Sequence, residues 1–234
     1  MSAIFKREMS AYFSSPVGYV VTAAFMIFSG LYFYFYCLYT GTSNMLNVFQ
    51  SMFFIVLFII PIITMRLFAE DKKTKTDQSL FTSPVSAAAI VTAKYFSALV
   101  MFLICLSSYI IEGVILSFVA QPDWSVILGN VFGMLLMGSV FIAIGIFISS
   151  MTESVIVAAM FSFAVNIIIS LIDTVASTIN WQFLNTIISS LSFQTRYKDF
   201  SVGIISLSDV VFFVSLTVLF LFFTDRILER RRWA

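Results

Sequence analysis

Between Glu8 and Arg66 the chain runs for 57 residues without a single aspartate, glutamate, lysine or arginine. As helix that stretch would reach ~85 Å, against a bilayer hydrocarbon core of about 30 Å. It therefore has to cross a membrane at least twice, because no soluble surface is so bare of charge. The rest of the chain agrees, being 60% hydrophobic and 11% charged with a mean hydropathy of +1.02. A net charge of +1 provides no global basic field, which argues against nucleic acid as a partner. Cys37 and Cys105 both lie in apolar runs and read as buried thiols, which behave as small hydrophobes.

The 234 residues include no histidine, which removes HExxH zinc sites, Ser/His dyads and His-ligated haem. No GxxxxGK[ST] sequence is present either, so the chain has no phosphate-cradling loop of its own. If ATP is involved, another chain binds it.

Polarity divides the sequence into six apolar segments: about 17–39, 46–67, 95–118, 125–148, 154–171 and 207–224. Residues 1–15 read as an interfacial helix, with Phe5, Met9, Tyr12 and Phe13 on one side and Arg7, Ser10 and Ser14 on another. Ser15 and Pro16 form a cap and first turn, Ser86 caps the third helix, and Pro61 predicts a kink in the second span. Gly41-Thr42-Ser43-Asn44 and Pro122-Asp123 turn the chain. Residues 174–208 are too polar for an ordinary span and suit short helices at, or dipping into, the interface. The fold class is an all-α integral membrane protein, a single domain over 1–234.

Charge sets the orientation. Six spans leave both termini on one side, and that side collects Lys6, Arg7, Arg66, Lys72, Lys73, Lys75, Lys94, Arg226, Arg230, Arg231 and Arg232, while Arg196 and Lys198 fall on the other. By the positive-inside rule the eleven mark the cytoplasm.

Residues 68–86 form the loop after the second span and carry the strongest functional signal. Glu70, Asp71, Lys72, Lys73, Thr74, Lys75, Thr76, Asp77 and Gln78 give mixed charge, Thr74 and Asp77 have capping-box spacing, and Leu80 and Phe81 supply an apolar edge. Such a segment suits docking on a polar protein surface; the plainer reading is a solvated loop that only sets topology. Glu112, one turn from Ser108, is an acid in the outer part of the third span, either functional or snorkelling outward. Ser162, Asn166, Ser170 and Asp173 form a polar stripe along the fifth span, which reads either as interhelical hydrogen bonding or as a cargo path. Gly129, Gly133, Gly138 and Gly145 make the fourth span a close-packing helix.

Several stretches, in this order and spacing, resemble permease subunits of type-2 ABC exporters, especially the subgroup with gliding-motility and sodium- or copper-related permeases. They are Phe5-Lys6-Arg7-Glu8 with Tyr12-Phe13-Ser14-Ser15-Pro16, Arg66-Leu67-Phe68-Ala69-Glu70 through Leu80-Phe81-Thr82-Ser83-Pro84-Val85-Ser86, Ser149-Ser150-Met151-Thr152-Glu153, and Asp209 through Trp233. The resemblance implies a six-helix permease of a bacterial inner membrane, paired with a second permease chain (a like or unlike copy) and with two cytoplasmic ATPase subunits that hold ATP and magnesium. Lipid surrounds it, and an extracytoplasmic auxiliary protein is a further partner it allows. The loop at 68–86 would be the coupling helix, and 174–208 the re-entrant helices. In the family that loop usually reads Gly-Thr, an apolar residue, then Glu; here it reads Lys75-Thr76-Asp77-Gln78.

Two other classes compete. An ion-coupled secondary carrier would use Glu112, but that class usually builds several buried ionisable groups at mid-membrane. An intramembrane hydrolase would need converging acids or an activated nucleophile, and no two acids meet at membrane depth in the sequence.

The charge split makes a topological prediction. In a background lacking Cys37 and Cys105, single cysteines at Thr42, Asp123 and Lys198 should react with an impermeant thiol reagent in intact cells, and one at Lys73 should not. Labelling at 73 with protection at 198 would reverse the orientation.

Overall fold

The structure, a computed structural model, describes residues 2–76, 85–176 and 192–233, with nothing stated for the side chains of 172–176 and 232–233. Among the described residues every regular element is helical. Helix α1 spans Ser2–Ser14 and α2 spans Pro16–Phe33, followed by a π-helical turn, Tyr34–Leu38. Next come α3 (Leu46–Thr64) and α4 (Arg66–Lys73), then α5 (Ala87–Ser117) and α6 (Trp124–Met151). Helices α7 (Val155–Ala176), α8 (Phe193–Ser201) and α9 (Leu207–Trp233) complete the bundle.

Among the described residues five helical stretches are long and apolar enough to cross a membrane: Pro16–Leu38, Leu46–Lys73, Ala87–Ser117, Trp124–Met151 and Leu207–Arg231. The segment anticipated as a further span corresponds to Val155–Leu171 of α7, an apolar stretch that is shorter than these five. Local sequence explains the starts. Ser15 is the N-cap of α2 with Pro16 at its first position, although its hydroxyl donates to the Ala11 carbonyl rather than capping. Ser86 accepts from the Ala89 N–H at the start of α5, and Asp123 accepts from the Ser125 N–H at the start of α6. The exposed Asp123 carboxyl is held below its usual pKa chiefly by the Ser125 hydroxyl. Gly41, at φ +68°, turns the chain between α2 and α3.

Helix α1 buries Ile4, Glu8 and Tyr12, while Phe5 and Met9 are half-buried and Phe13 is 36% exposed. The reason is chemical: Glu8 and Tyr12 both find polar partners inside the bundle, described below. Thr74 closes α4 by donating its hydroxyl to the Glu70 and Asp71 carbonyls; the capping box read for Thr74 with Asp77 involves residues outside those described.

Helix α6 is the hub, packing against α3, α4, α5, α7, α8 and α9. Its glycines divide their neighbours. A Cβ at Gly129 would lie 2.8 Å from the Gly203 Cα, and one at Gly133 would lie 2.7 Å from the Phe200 Cβ; both meet α8 and its exit. At Gly138 a Cβ would collide with the Phe102 ring of α5, and at Gly145 with the Thr64 hydroxyl of α3. The seam is therefore shared among three partners rather than presented to one. The same hub position holds α8 in place: Tyr197 donates to the Asn130 Oδ1 at 2.9 Å, and Asn130 donates to the Ser201 carbonyl at 3.3 Å.

Gly138→Ala should destabilise the purified protein by about 1 to 3 kcal/mol through overpacking, read as a lower melting temperature in detergent. Gly30→Ala, where a Cβ meets nothing within 4 Å, should be neutral or slightly stabilising. Equal melting of both variants would show that α6 and α5 are not in close contact at this point.

Candidate functional site at the charged end

The residues singled out at the start of the charged loop lie in α4, which continues α3 after one turn residue, Met65. Breaking the helix there frees backbone groups that must be satisfied elsewhere. The Phe68 and Ala69 N–H groups donate to the Ser149 Oγ of α6, at 3.2 and 3.1 Å, and the same hydroxyl donates to the Met65 carbonyl at 3.0 Å. Ser149 thus caps a helix 80 residues away in sequence. Beside it, the Lys72 ammonium donates to the Ser150 carbonyl.

The other side of α4 is fixed by charge. Lys94 of α5 is fully buried, and its ammonium donates to Glu8 of α1 at 2.9 Å, to Asp71 of α4 at 2.6 Å, and to the Leu67 carbonyl. All three ammonium donors are used, and the charge also lies 5.0 Å from the Phe68 ring centroid. Arg7 completes the group, 2.6 Å from Glu8 and 3.1 Å from Asp71. Two cations and two carboxylates make the cluster neutral. Burial works against the Arg7 charge, but its hydrogen bond to Glu8 and the carboxylates of Asp71 and Glu8 outweigh this and raise its pKa. Taking such charges from water costs several kcal/mol each, and is tolerated only where partners and hydrogen bonds are complete.

A third tie uses α1 again. The Tyr12 hydroxyl donates to the Ile63 carbonyl at 2.7 Å; burial first, then the Glu8 charge, raise its pKa, so it stays a donor. Arg66 lies 5.8 Å from the Tyr12 ring centroid, pairs with Glu70 at 3.0 Å, and donates to Ser15 at 2.7 Å.

Beyond α4 the chain turns through Thr74, Lys75 and Thr76. Lys75 adopts φ +59°, a left-handed conformation uncommon outside glycine, at the position where the resembling permeases carry Gly. Thr76 donates to the Asp71 carboxylate at 2.9 Å, linking this turn to the buried cluster. Lys73, Thr74, Lys75 and Thr76 are exposed, and Lys73 shares a cleft with Glu153, Ser154 and Ile156. Asp77, Gln78, Leu80 and Phe81 lie outside the described residues.

The pathway candidates do not form one site. Glu112 is 6% exposed, so it does not snorkel; it sits beside Ser29 and Cys37, and its Oε2 has no hydrogen-bond partner among the described residues. Ser162 and Asn166 of α7 are fully buried, yet neither side chain makes a hydrogen bond among the described residues. Ser170 donates to the Asn166 carbonyl of its own helix. The Asp173 side chain lies outside the described residues. Helix α7 packs on α3, α4, α6 and α8, whereas Glu112 faces α2.

Sequence reasoning missed Lys94, Glu8, Arg7 and Ser149 as site residues. Lys94 was legible as a cation within an apolar helix, between Ala93 and Tyr95, a placement that calls for a buried partner.

An all-helical bundle with several membrane-spanning helices and a charged, internally bonded end is a multi-pass membrane protein. The chain belongs to the ABC-2 type transporter family, whose membrane region matches residues 1–180, more than three quarters of its length. It is thus a transmembrane subunit of an ABC transporter, a permease and not the ATPase. No curated protein matches it.

Lys94→Met keeps the volume but leaves Glu8 and Asp71 with Arg7 as their one remaining cation in the cluster. It should cost about 3 to 5 kcal/mol, seen as a large drop in melting temperature, and adding Asp71→Asn, which leaves the Arg7–Glu8 pair, should recover much of it. A single variant as stable as the parent would show that the cluster does not hold α1, α4 and α5 together.

Proposed function

We propose that this subunit couples ATP hydrolysis by partner ATPase subunits to export, or to force transmission, across a bacterial inner membrane. ATP and magnesium belong to the partner chain in this reading. The charged end faces the cytoplasm with both termini, Val155–Leu171 acts as a sixth span, and a second permease chain completes the assembly. The gliding-motility and sodium- or copper-related subgroup rests on sequence resemblance.

The observation that carries the reading is the bonding of the charged end. Three elements that the sequence resemblance singled out separately, around Glu8, around Arg66 to Lys73 and around Ser149, are joined by Lys94 and Ser149 into one body. A push on residues 68–86 would reach α1, α5 and α6 together rather than bending a loose loop. Exposed Lys73 and Glu153 beside it supply mixed charge for a polar partner surface. For the cargo path we favour Ser162 and Asn166, with Ser170 and Asp173 on the same helix, over Glu112, because an unpartnered amide between spans has the stronger need of a polar visitor.

Co-expression with a cognate ATPase tests the coupling. Lys73→Glu with Glu153→Arg, Asp77→Arg, and Leu80→Ala with Phe81→Ala should each weaken pull-down about tenfold or more and lower stimulated ATPase activity, while the permease melts normally. Unchanged capture and stimulation in all of them would sink the assignment. The alternative, an ion-coupled carrier, is motivated by the unpartnered Oε2 of Glu112. Transport that persists without any ATPase and is lost in Glu112→Gln would favour it.

A further inference from the structure

At the end of the bundle opposite the charged cluster, α3 and α8 enclose a cleft of about 370 Å³. Its polar part is Gln50 on α3 with Gln194 and Lys198 on α8; its apolar part is Phe53, Phe54 and the ring of Tyr197. Among the described residues no carboxylate pairs with Lys198, whereas the neighbouring Arg196 is engaged by Asp209 at 2.8 Å. Among the described residues the cleft therefore presents one exposed ammonium, the Gln50 amide and no opposing acid.

Three features fit this cleft to a membrane component. Gln50 lies one turn from the start of α3 at Leu46, so the polar groups sit where a span meets water. Below them Phe54, Phe58 and Ile62 follow at four-residue intervals and are 63%, 53% and 38% exposed, an apolar track down the outside of α3. Phe58 packs against Phe163 of α7 with tilted rings, centroids 4.2 Å apart, so the track has a wall. The cleft is also preformed: α8 is held on α6 by Tyr197 and Asn130, and Phe193 packs against Phe141 and Phe213.

We infer that this cleft binds a phospholipid of that leaflet with an anionic headgroup. The phosphate accepts from Lys198 and from the Gln50 amide, and an acyl chain lies along Phe54, Phe58 and Ile62. The amide recognises the phosphate oxygens, and the ammonium, with no carboxylate competing for it among the described residues, selects negative over zwitterionic headgroups. The inference does not depend on the coupling proposal, because it uses only the bundle's other end.

The test uses the purified full chain in mixed micelles of detergent with phosphatidylglycerol or phosphatidylcholine, read by melting temperature and by native mass spectrometry of retained lipid. Phosphatidylglycerol should raise the melting temperature and stay bound more than phosphatidylcholine. Lys198→Gln should weaken this preference about fivefold, Phe54→Ser should weaken retention of both lipids, and Lys75→Gln at the opposite end should change neither. Equal effects of the two lipids, or an undiminished preference in Lys198→Gln, would overturn the inference. A full shift with inorganic phosphate alone would make the cleft a site for free anions, and crosslinking from a cysteine at 198 to a second protein chain in lipid-free detergent would make it a protein interface. Lys198→Arg, which keeps the charge, separates loss of binding from misfolding and should retain the preference.

Discussion

The ammonium of Lys94 decides how the charged end is built. It is fully buried and donates to groups on α1 and α4 from its own place on α5, so those helices meet at one point. The burial of a charge is tolerable only because every donor is used and two carboxylates face two cations. From this follow the buried face of α1, set by Glu8, and the position of α4, set by Asp71. Once α4 is so placed, the backbone groups around Met65 turn toward α6, and Ser149 meets them. A hydroxyl that both accepts twice and donates once does there what a local N-cap would do in an ordinary helix.

The spans were legible in the sequence because 57 uncharged residues admit no other environment, and the caps at Ser86 and Asp123 because their hydrogen bonds are local. What was not legible is whatever depends on a distant partner. The face of α1 could not be read from its own periodicity, since Glu8 is buried by a lysine 86 residues later. The glycines of α6 looked like one packing motif, yet they serve α8, α5 and α3 in turn, which spacing alone cannot distinguish. Lys94 and Ser149 were visible only as a topological charge and as part of a polar link. Their role appears when the break at Met65 brings α4 between them.

Lys75 shows how a departure from a family pattern can be read physically. The pattern that the sequence resembles usually has glycine where this chain has Lys75, and the backbone here is left-handed, the conformation glycine adopts without penalty. A lysine in that conformation carries a penalty of roughly 1 to 2 kcal/mol. The bond from Thr76 to Asp71 holds the following residue to the buried cluster and so offsets part of it. The turn's shape is then imposed from α4 outward, and the exposed ammonium of Lys75 is an added surface charge rather than a structural element.

The two ends of α7 stand in contrasting surroundings. Its start follows Met151 of α6 by only three residues, adjacent to the Ser149 and Ser150 contacts that fasten α6 to α4. Farther along, Ser162 and Asn166 are enclosed with no side-chain hydrogen-bond partner among the described residues, although an unsatisfied amide between membrane spans costs several kcal/mol. A helix whose root is bonded firmly and whose middle is polar, enclosed and unpaired gains most from a change of neighbours. In the proposed reading, that is where displacement of the charged end is converted into access: the root moves with α4 and α6, and the stripe acquires the polar partners it lacks. Glu112 has no such connection. It lies against α2, away from α4 and α7, so motion of the charged end has no short mechanical route to it.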